Sequence, residues 1–260
     1  MMIKYYAGID IGSISTEVVI VDADGKIAGY AIELSGAESA KALERALVRA
    51  LEQAGLKRED LLAKVATGYG RERAEAEYKV TEITCHARGV AQLYREARTV
   101  IDIGGQDSKA IRLDLNGKVA NFQMNDKCAA GTGRFLEVMA RALEVEVGEM
   151  GALEKKSRKQ LRVSSVCTVF TESEIVGLLA RGEQREDIIK AVHDSVAERV
   201  YGLVSRIGIE PEIALTGGVA KNGGVVRALA EKFGRELLVP EEPQIMGAYG
   251  AALIAAERSG

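Results

Sequence analysis

The chain contains no tryptophan, three prolines and three cysteines among its 260 residues. Three widely spaced cysteines do not make a disulfide framework at this length, so we expect buried thiols, metal ligands or reactive groups in a reducing compartment. No apolar run is long enough to span a bilayer, and the N-terminus shows no secretory pattern. The net charge is −3, and no cluster of basic residues stands out. The sequence therefore predicts a cytoplasmic protein that binds neither nucleic acid nor membrane.

The tetrapeptide Ile-Asp-Ile-Gly occurs twice, at residues 9–12 and again at residues 101–104. Each copy follows a short apolar run and leads into small polar residues, which is typical of two related halves that open with the same hairpin. We therefore predict an α/β protein of two domains. The first comprises residues 1–97 plus 243–260, and the second comprises residues 98–242.

Hydrophobic periodicity and turn residues predict strands and helices along both halves. The expected strands are 5–10, 17–22, 26–33, 64–67, 99–103, 108–114, 118–124, 212–216 and 236–239. The expected helices include 39–53, 81–96, 185–207 and 244–257, with further helices after Cys128 and Cys167.

The first Ile-Asp-Ile-Gly copy lies in a strand–turn–strand segment that is suited to phosphate binding. Gly12 at the turn lets backbone N–H groups approach phosphate oxygens, because glycine has no Cβ. Ser13, Ser15 and Thr16 add hydroxyl groups. Asp10 is expected to orient a magnesium ion through water, since hard cations prefer oxygen ligands.

The second copy repeats this design. Gly104 and Gly105 form the turn, and Asp102 is expected to face the same metal ion as the aspartate of the first half. Gln106 or Asp107 is a candidate for positioning the attacking water, a role that phosphoryl transfer requires.

A third glycine turn, at Gly217 and Gly218, offers a bare backbone that suits a flat adenine and ribose. Each turn alone is equally typical of an ordinary hairpin, because glycine motifs are promiscuous. A Walker-type phosphate loop is absent, and no Gly-x-Gly-x-x-Gly motif follows the first strand. The three turns together favour binding of ATP with Mg²⁺.

Cys128 and Cys167 each precede a predicted helix, whose N-terminus carries partial positive charge and favours a thiolate or an anionic cluster. Thr171 and Glu174 form a capping-box pattern at the second of these helices. Two thiolates are half of the four that a cubane iron–sulfur cluster takes, and a symmetric dimer would supply the other half.

Other interpretations of the cysteines remain open. Cys128 and Cys167 lack the tight Cys-x-x-Cys spacing of a self-contained site and are equally compatible with small buried hydrophobic residues. Composition also permits a single-chain zinc site that includes Cys85 and His86. For that pair we favour a packed thiol beside a surface imidazole, and for His193 we expect a solvated side chain.

The three glycine turns resemble those of the acetate kinase, sugar kinase, Hsp70 and actin superfamily. Four segments narrow the resemblance to one branch, and they are residues 66–71, 100–107, 121–136 and 167–174. These segments are similar to the signature of the ATP-dependent activators, or component A, of 2-hydroxyacyl-CoA dehydratases, which are ATPases of the BadF/BadG/BcrA/BcrD type. The resemblance extends over about residues 8–252, and the cysteine-containing segments are its most specific part.

This resemblance implies two ribonuclease H-like (actin-like ATPase) domains, each a mixed five-stranded sheet with flanking helices. It implies a homodimer in which Cys128 and Cys167 of both chains hold one [4Fe–4S] cluster, and MgATP bound in the cleft between the domains. A reduced ferredoxin or flavodoxin would supply one electron. ATP turnover would change the angle between the cluster-facing helices, and the electron would pass to the iron–sulfur centre of a partner enzyme.

Several functions therefore stand as alternatives. The first is an ATP-dependent one-electron donor to a 2-hydroxyacyl-CoA dehydratase, and a variant of it serves a double-cubane cluster protein or a benzoyl-CoA reductase. A small-molecule kinase without a cluster is a rival, although the chain is short for a sugar kinase and shows no acceptor site. A nucleotide-dependent interaction protein without a metal is another.

Overall fold

The computed structural model describes residues 4–36, 38–164 and 167–259. The chain divides into two compact units. Met1–Val100, Leu113–Ala120 and Pro240–Gly260 form the first unit, and Ile101–Arg112 and Asn121–Val239 form the second. The division into two ATPase domains, residues 1–97 plus 243–260 and residues 98–242, remains a prediction from the sequence. Among the helices within these described ranges, none is long and apolar enough to cross a membrane.

The first unit is built on a mixed sheet with the strand order β3-β2-β1-β4-β5. Its strands are β1 (Tyr5–Ile11), β2 (Ser15–Asp22), β3 (Ile27–Leu34), β4 (Leu61–Thr67) and β5 (Tyr78–Lys79). Its helices are α1 (Ser39–Ala54), α2 (Glu82–Leu93) and α8 (Met246–Ser259). β1 to β3 form the predicted antiparallel meander, while β1, β4 and β5 pair in parallel. β5 was not expected, because two residues carry no periodic signal.

Alternation along β1 decides which helices cover each face of this sheet. Ala7, Ile9 and Ile11 pack in one apolar cluster with α1. Tyr6 packs in a second cluster with residues of α2 and α8. Because side chains of a strand alternate between the two faces, Gly8 and Asp10 point to the α8 side together with Tyr6. The alternation therefore directs a carboxylate toward the contact between β1 and α8.

The second unit repeats the strand order of the first as β8-β7-β6-β9. Its strands are β6 (Thr99–Ile103), β7 (Ser108–Leu113), β8 (Val119–Asn125) and β9 (Ile213–Thr216). Its helices are α3 (Gly133–Ala142), α4 (Val147–Leu153), α5 (Thr168–Ala180), α6 (Arg185–Ser205) and α7 (Gly223–Phe233). The mixed α/β fold is confirmed.

The second sheet differs from the expected five strands. Beyond β9, Leu238 pairs with Ala214 in a single parallel bridge, so this sheet has four strands within the described residues. Pro240 follows two residues later and has no N–H to continue the ladder. The predicted strand 236–239 is therefore reduced to that bridge.

The prediction of a solvated His193 is wrong. Its side chain is fully buried on α6, where Nδ1 contacts a carboxylate oxygen of Glu154 and Nε2 lies 3.3 Å from Nδ2 of Asn222. Asn222 caps α7 by accepting a hydrogen bond from Gly224, so its amide nitrogen is left to face the imidazole. α6 packs against α7, α4 and the short Glu154–Lys156 turn, so polar residues beside its main apolar stripe are also buried.

The packing of β1 against α8 can be tested at Gly8. A Cβ at this position would lie 1.9 Å from the carbonyl oxygen of Ala248 and 2.3 Å from the amide nitrogen of Ala252. Gly8→Ala forces two backbones apart, so we expect a loss of about 3 kcal/mol or more of unfolding free energy. Denaturant titration of the purified variant measures this loss.

Gly202→Ala is the matched control, because Gly202 lies inside α6 with no atom within 4 Å of an added Cβ. It should stabilise the protein by about 0.5–1 kcal/mol, since alanine loses less backbone entropy than glycine in a helix. Equal stability of both variants would contradict the close contact of β1 with α8.

Candidate functional site

Asp10 lies at the end of β1, opposite Glu17 on β2 and beside Thr67 on β4. Its side chain is 8% exposed, so the carboxylate is almost enclosed by the first unit. The turn that follows is closed by the Gly12 amide, which donates to the Ser15 carbonyl oxygen over 2.9 Å. This is the predicted strand–turn–strand segment with its glycine at the turn.

The three predicted hydroxyl groups of this turn have different surroundings. Ser13 is exposed, and Ser15 Oγ accepts a hydrogen bond from Gln244 over 2.9 Å. Thr16 is buried, and its Oγ1 lies 2.9 Å from Oγ of Ser35. Because Ser35 donates its own hydrogen to the Gly12 carbonyl, Thr16 is the donor of that pair. Thr16 therefore stabilises the turn through Ser35, and Ser13 carries the hydroxyl that faces solvent.

The second turn has the same geometry as the first. The Gly104 amide donates to the Asp107 carbonyl oxygen over 3.0 Å. Gly105 is partly exposed and Gln106 is exposed, which leaves the Gln106 side chain accessible for positioning a water molecule.

The buried carboxylate of this half is compensated by a buried lysine. Nζ of Lys109 lies 3.1 Å from Asp102 and 2.8 Å from Asp107, and the Lys109 side chain is only 2% exposed. Thr216 Oγ1 donates to the other Asp102 oxygen over 3.1 Å. In the first half the equivalent position, seven residues after the aspartate, is occupied by Glu17. The first half therefore presents two carboxylates, and it is better suited to a cation than the second half.

A second repeat, the dipeptide Thr-Gly, lies beside both aspartates, and the sequence analysis did not identify it. β4 and β9 each end in Thr-Gly, and Gly68 and Gly217 have left-handed φ values of 83° and 85°. A Cβ on Gly68 would lie 2.3 Å from Oδ1 of Asp10, and a Cβ on Gly217 would lie 2.7 Å from Oδ1 of Asp102. The Thr-Gly dipeptide repeated at the ends of these two strands was the signal present in the sequence. The close approach of Gly217 to Asp102 shows that the third predicted turn lies against the second one. Gly218, the next residue, is exposed.

The Cys128 segment is bonded to the second turn. The first amides of α3 donate to this turn, Gly133 to the Gly104 carbonyl over 2.9 Å and Arg134 to the Gly105 carbonyl over 2.7 Å. Cys128 precedes α3 by five residues, and its carbonyl oxygen accepts a 2.8 Å hydrogen bond from the Asn125 side chain. The second turn is therefore hydrogen-bonded to the first residues of α3, five residues after Cys128.

The second cysteine begins α5, but the capping differs from the prediction. Cys167 is the N-cap residue, and Thr171 lies one turn inside the helix. Thr171 Oγ1 donates to the carbonyl oxygens of Ser164 and Cys167 over 2.8 and 2.9 Å, and Glu174 accepts from the Ser164 amide over 2.8 Å. The capping-box prediction is wrong, because threonine inside a helix bonds preceding carbonyls. Both side chains instead tie the preceding loop to α5. Ser165 and Val166 lie outside the described residues.

The three cysteines form no disulfide, and they differ in exposure. Cys128 and Cys167 are partly exposed and Cys85 is buried. His86 is also buried, so the expectation of a surface imidazole is wrong, because α8 covers α2. In the part of the chain that the structure describes, no three His, Cys, Asp or Glu residues are grouped to hold a metal ion. A single-chain zinc site therefore has no support.

Comparison with known proteins places the chain in a family. The sequence pattern of the BadF/BadG/BcrA/BcrD ATPase family matches residues 7–255. The chain belongs to this family. The activator of lactoyl-CoA dehydratase from Anaerotignum propionicum is 51% identical over 256 residues, which are 97% of this chain and 98% of the relative.

Two solved structures share the fold over almost the whole chain. Component A of the (R)-2-hydroxyglutaryl-CoA dehydratase of Acidaminococcus fermentans is 44% identical with a TM-score of 0.95, covering 98% of this chain and 99% of its own. The activator of the 2-hydroxyisocaproyl-CoA dehydratase from Clostridium difficile, with bound ADPNP, is 46% identical with a TM-score of 0.93, covering 98% and 95%. The resemblance to dehydratase activators, the actin-like fold and the ATPase class are thereby confirmed.

The Lys109 ion pair in this BadF/BadG/BcrA/BcrD ATPase can be tested by a double-mutant cycle. Lys109→Met leaves Asp102 buried without its cation, so we expect a loss of about 3–5 kcal/mol of unfolding free energy. Adding Asp102→Asn removes the uncompensated charge and should recover most of that loss. Denaturant titration measures both, and a double variant no more stable than Lys109→Met would contradict the pairing.

Proposed function

We propose that the protein is an ATP-dependent reductive activator, a one-electron donor to a 2-hydroxyacyl-CoA dehydratase. The observation that carries this proposal is the bonding of the second glycine turn to the start of α3, immediately after the Cys128 loop. An ATP-binding turn that is directly bonded to a candidate ligand loop provides the coupling that such an activator needs. A small-molecule kinase does not require a connection between its ATP-binding turn and a cysteine-containing loop.

The first turn is proposed to bind Mg²⁺ and phosphate. Asp10 with Glu17 opposite it offers oxygen donors, which are the ligands that Mg²⁺ prefers. Asp10 would orient the ion through water, and the Gly12 turn and the exposed Ser13 would face the phosphates. A magnesium ion neutralises charge on the phosphates when it is bound.

On the second turn, Gly104 and Gly105 are proposed to approach the phosphates, and the exposed Gln106 is the candidate that orients the attacking water. Asp102 and Asp107, both beside Lys109, would hold that lysine and shape the turn. We propose that Gly217 and the exposed Gly218 contact the adenosine.

The cysteine chemistry suits half of a [4Fe–4S] site. Cys128 and Cys167 lie in the same unit, are partly exposed and form no disulfide, and α3 and α5 pack against each other. Cys167 at the N-cap of α5 lies beside the partial positive charge of a helix N-terminus, which suits an anionic cluster. Two thiols per chain require two more from a second copy, as in a homodimer with one shared cluster. When bound, such a cluster supplies one-electron transfer.

α5 offers a surface for that second copy. Val169, Phe170 and Val176 on this helix are 65%, 71% and 55% exposed, and the first two lie within three residues of Cys167. Apolar side chains grouped at the surface mark interaction sites, and a two-fold dimer pairs the same patch on both subunits. Burial of this patch would exclude water from the neighbouring thiols. A reduced ferredoxin or flavodoxin is the proposed electron donor, and the dehydratase's iron–sulfur centre is the proposed acceptor.

The ligand role is tested by Cys128→Ser with Cys85→Ala as the matched control. After anaerobic purification the parent protein and the control should carry about four irons per dimer, the content of one cubane cluster. Cys128→Ser should lose most of the iron and keep its affinity for ADPNP, because the glycine turns are untouched. Iron analysis and calorimetric titration are the measurements.

Undiminished iron in Cys128→Ser, or a colourless anaerobic parent protein that takes up no iron, would contradict the proposal. The rival kinase is tested in the same preparation. ATP hydrolysis should release inorganic phosphate without any phosphorylated small molecule, and dehydration of a 2-hydroxyacyl-CoA by its dehydratase should require ATP, a reductant and this protein together.

A further inference from the structure

His86 is a buried polar residue that the proposed function has not used. It lies on α2 in the first unit and is 5% exposed. A buried imidazole is costly to enclose unless its nitrogen atoms meet polar partners, so its position in the apolar contact between α2 and α8 calls for a reason.

The neighbouring Cys85 does not share such a role. Its thiol is buried, and burial raises the pKa of this thiol to about 12. It is therefore held as a neutral thiol at physiological pH, which is a poor nucleophile. Of the Cys85–His86 pair, only the imidazole has chemistry to contribute.

The imidazole lies beside the carboxylate of Asp10. The site that a Cβ on Gly247 would occupy is 2.1 Å from Oδ2 of Asp10 and 3.0 Å from Nε2 of His86, so these two atoms are within about 5 Å of each other. The other carboxylate oxygen, Oδ1, lies 2.3 Å from the corresponding site on Gly68. Asp10 is thus enclosed by two glycines that leave room for it and by one histidine.

Glycines at the helix contact bring the histidine to this place. A Cβ on Gly250 of α8 would lie 1.8 Å from the carbonyl oxygen of Cys85, and a Cβ on Gly89 of α2 would lie 2.6 Å from that of Met246. The two backbones touch at both points, which no larger residue permits. This close crossing sets the position of His86 relative to β1.

We propose that His86 is a positioning residue that holds the Asp10 carboxylate in the orientation required for Mg²⁺. This rests on the role proposed above for Asp10. A carboxylate held before the ion arrives loses no orientational freedom on binding, and groups behind a metal-binding residue fix its geometry in this way. His86 would act through Asp10 and would not touch the nucleotide itself.

The test compares His86→Ala, His86→Gln, Asp10→Asn and Cys85→Ala. His86→Ala should lower kcat for ATP hydrolysis and raise the Mg²⁺ concentration needed for tight ADPNP binding, each by roughly 10- to 100-fold. Its affinity for the metal-free nucleotide should stay within about twofold. His86→Gln should recover most of both losses, because its amide can reach the place of Nε2. Cys85→Ala, one residue away and equally buried, should change neither quantity.

Calorimetric titration of ADPNP at stepped Mg²⁺ concentrations and steady-state kinetics decide between the outcomes. An inactive Asp10→Asn together with an unchanged kcat and Mg²⁺ requirement in His86→Ala would overturn the role of His86 alone. Full turnover in Asp10→Asn would overturn the proposed role of Asp10 first. If His86→Ala does not fold, His86→Met takes its place, because it keeps the side-chain volume without a hydrogen-bonding nitrogen. A Mg²⁺ requirement near the parent in His86→Met overturns the inference, and a raised requirement that His86→Gln does not share supports it.

Discussion

The close approach of backbone to the buried aspartates at the two strand ends is the constraint on which the rest of this structure depends. Asp10 and Asp102 each lie against a left-handed glycine, Gly68 or Gly217, that directly follows a neighbouring strand. Any side chain at these glycines would occupy the space of the carboxylate. The hairpin turns, the sheet order and the helices packed on β1 all preserve this arrangement. The site is therefore built mainly by the absence of Cβ atoms.

The two halves share this backbone frame and differ in charge. Lys109 neutralises Asp102 inside the second half, whereas Glu17 adds a second carboxylate at the equivalent position of the first. We propose that this difference divides the work of the two halves, with the cation bound at the first. For the turn of the second half we propose a different role, the connection to α3. Gly133 and Arg134 donate to its turn, and we propose that nucleotide binding acts on the cysteine loop through these bonds.

Sequence patterns predicted eight of the nine strands and the glycine turns, because these follow from local periodicity and from residues that turns favour. The two-residue strand β5 was missed, and the predicted strand 236–239 is only a bridge. They could not predict which face of a helix becomes buried by a second neighbour. His86 and His193 were both expected in solvent, and both lie beneath helices that pack on them only in the tertiary structure. The start of α5 was also predicted one turn too late, at Thr171 instead of Cys167, because the Thr171–Glu174 pattern resembles a capping box.

The central claim is that nucleotide engages the glycine turns of both halves and that the second turn transmits this to α3. Hydrogen–deuterium exchange with and without ADPNP and Mg²⁺ tests it most directly. The account predicts slower exchange at the amides of residues 12–16, 104–107 and 217–221, and a simultaneous change at Gly133 and Arg134. Protection confined to one half, or no change at the first amides of α3, would contradict it.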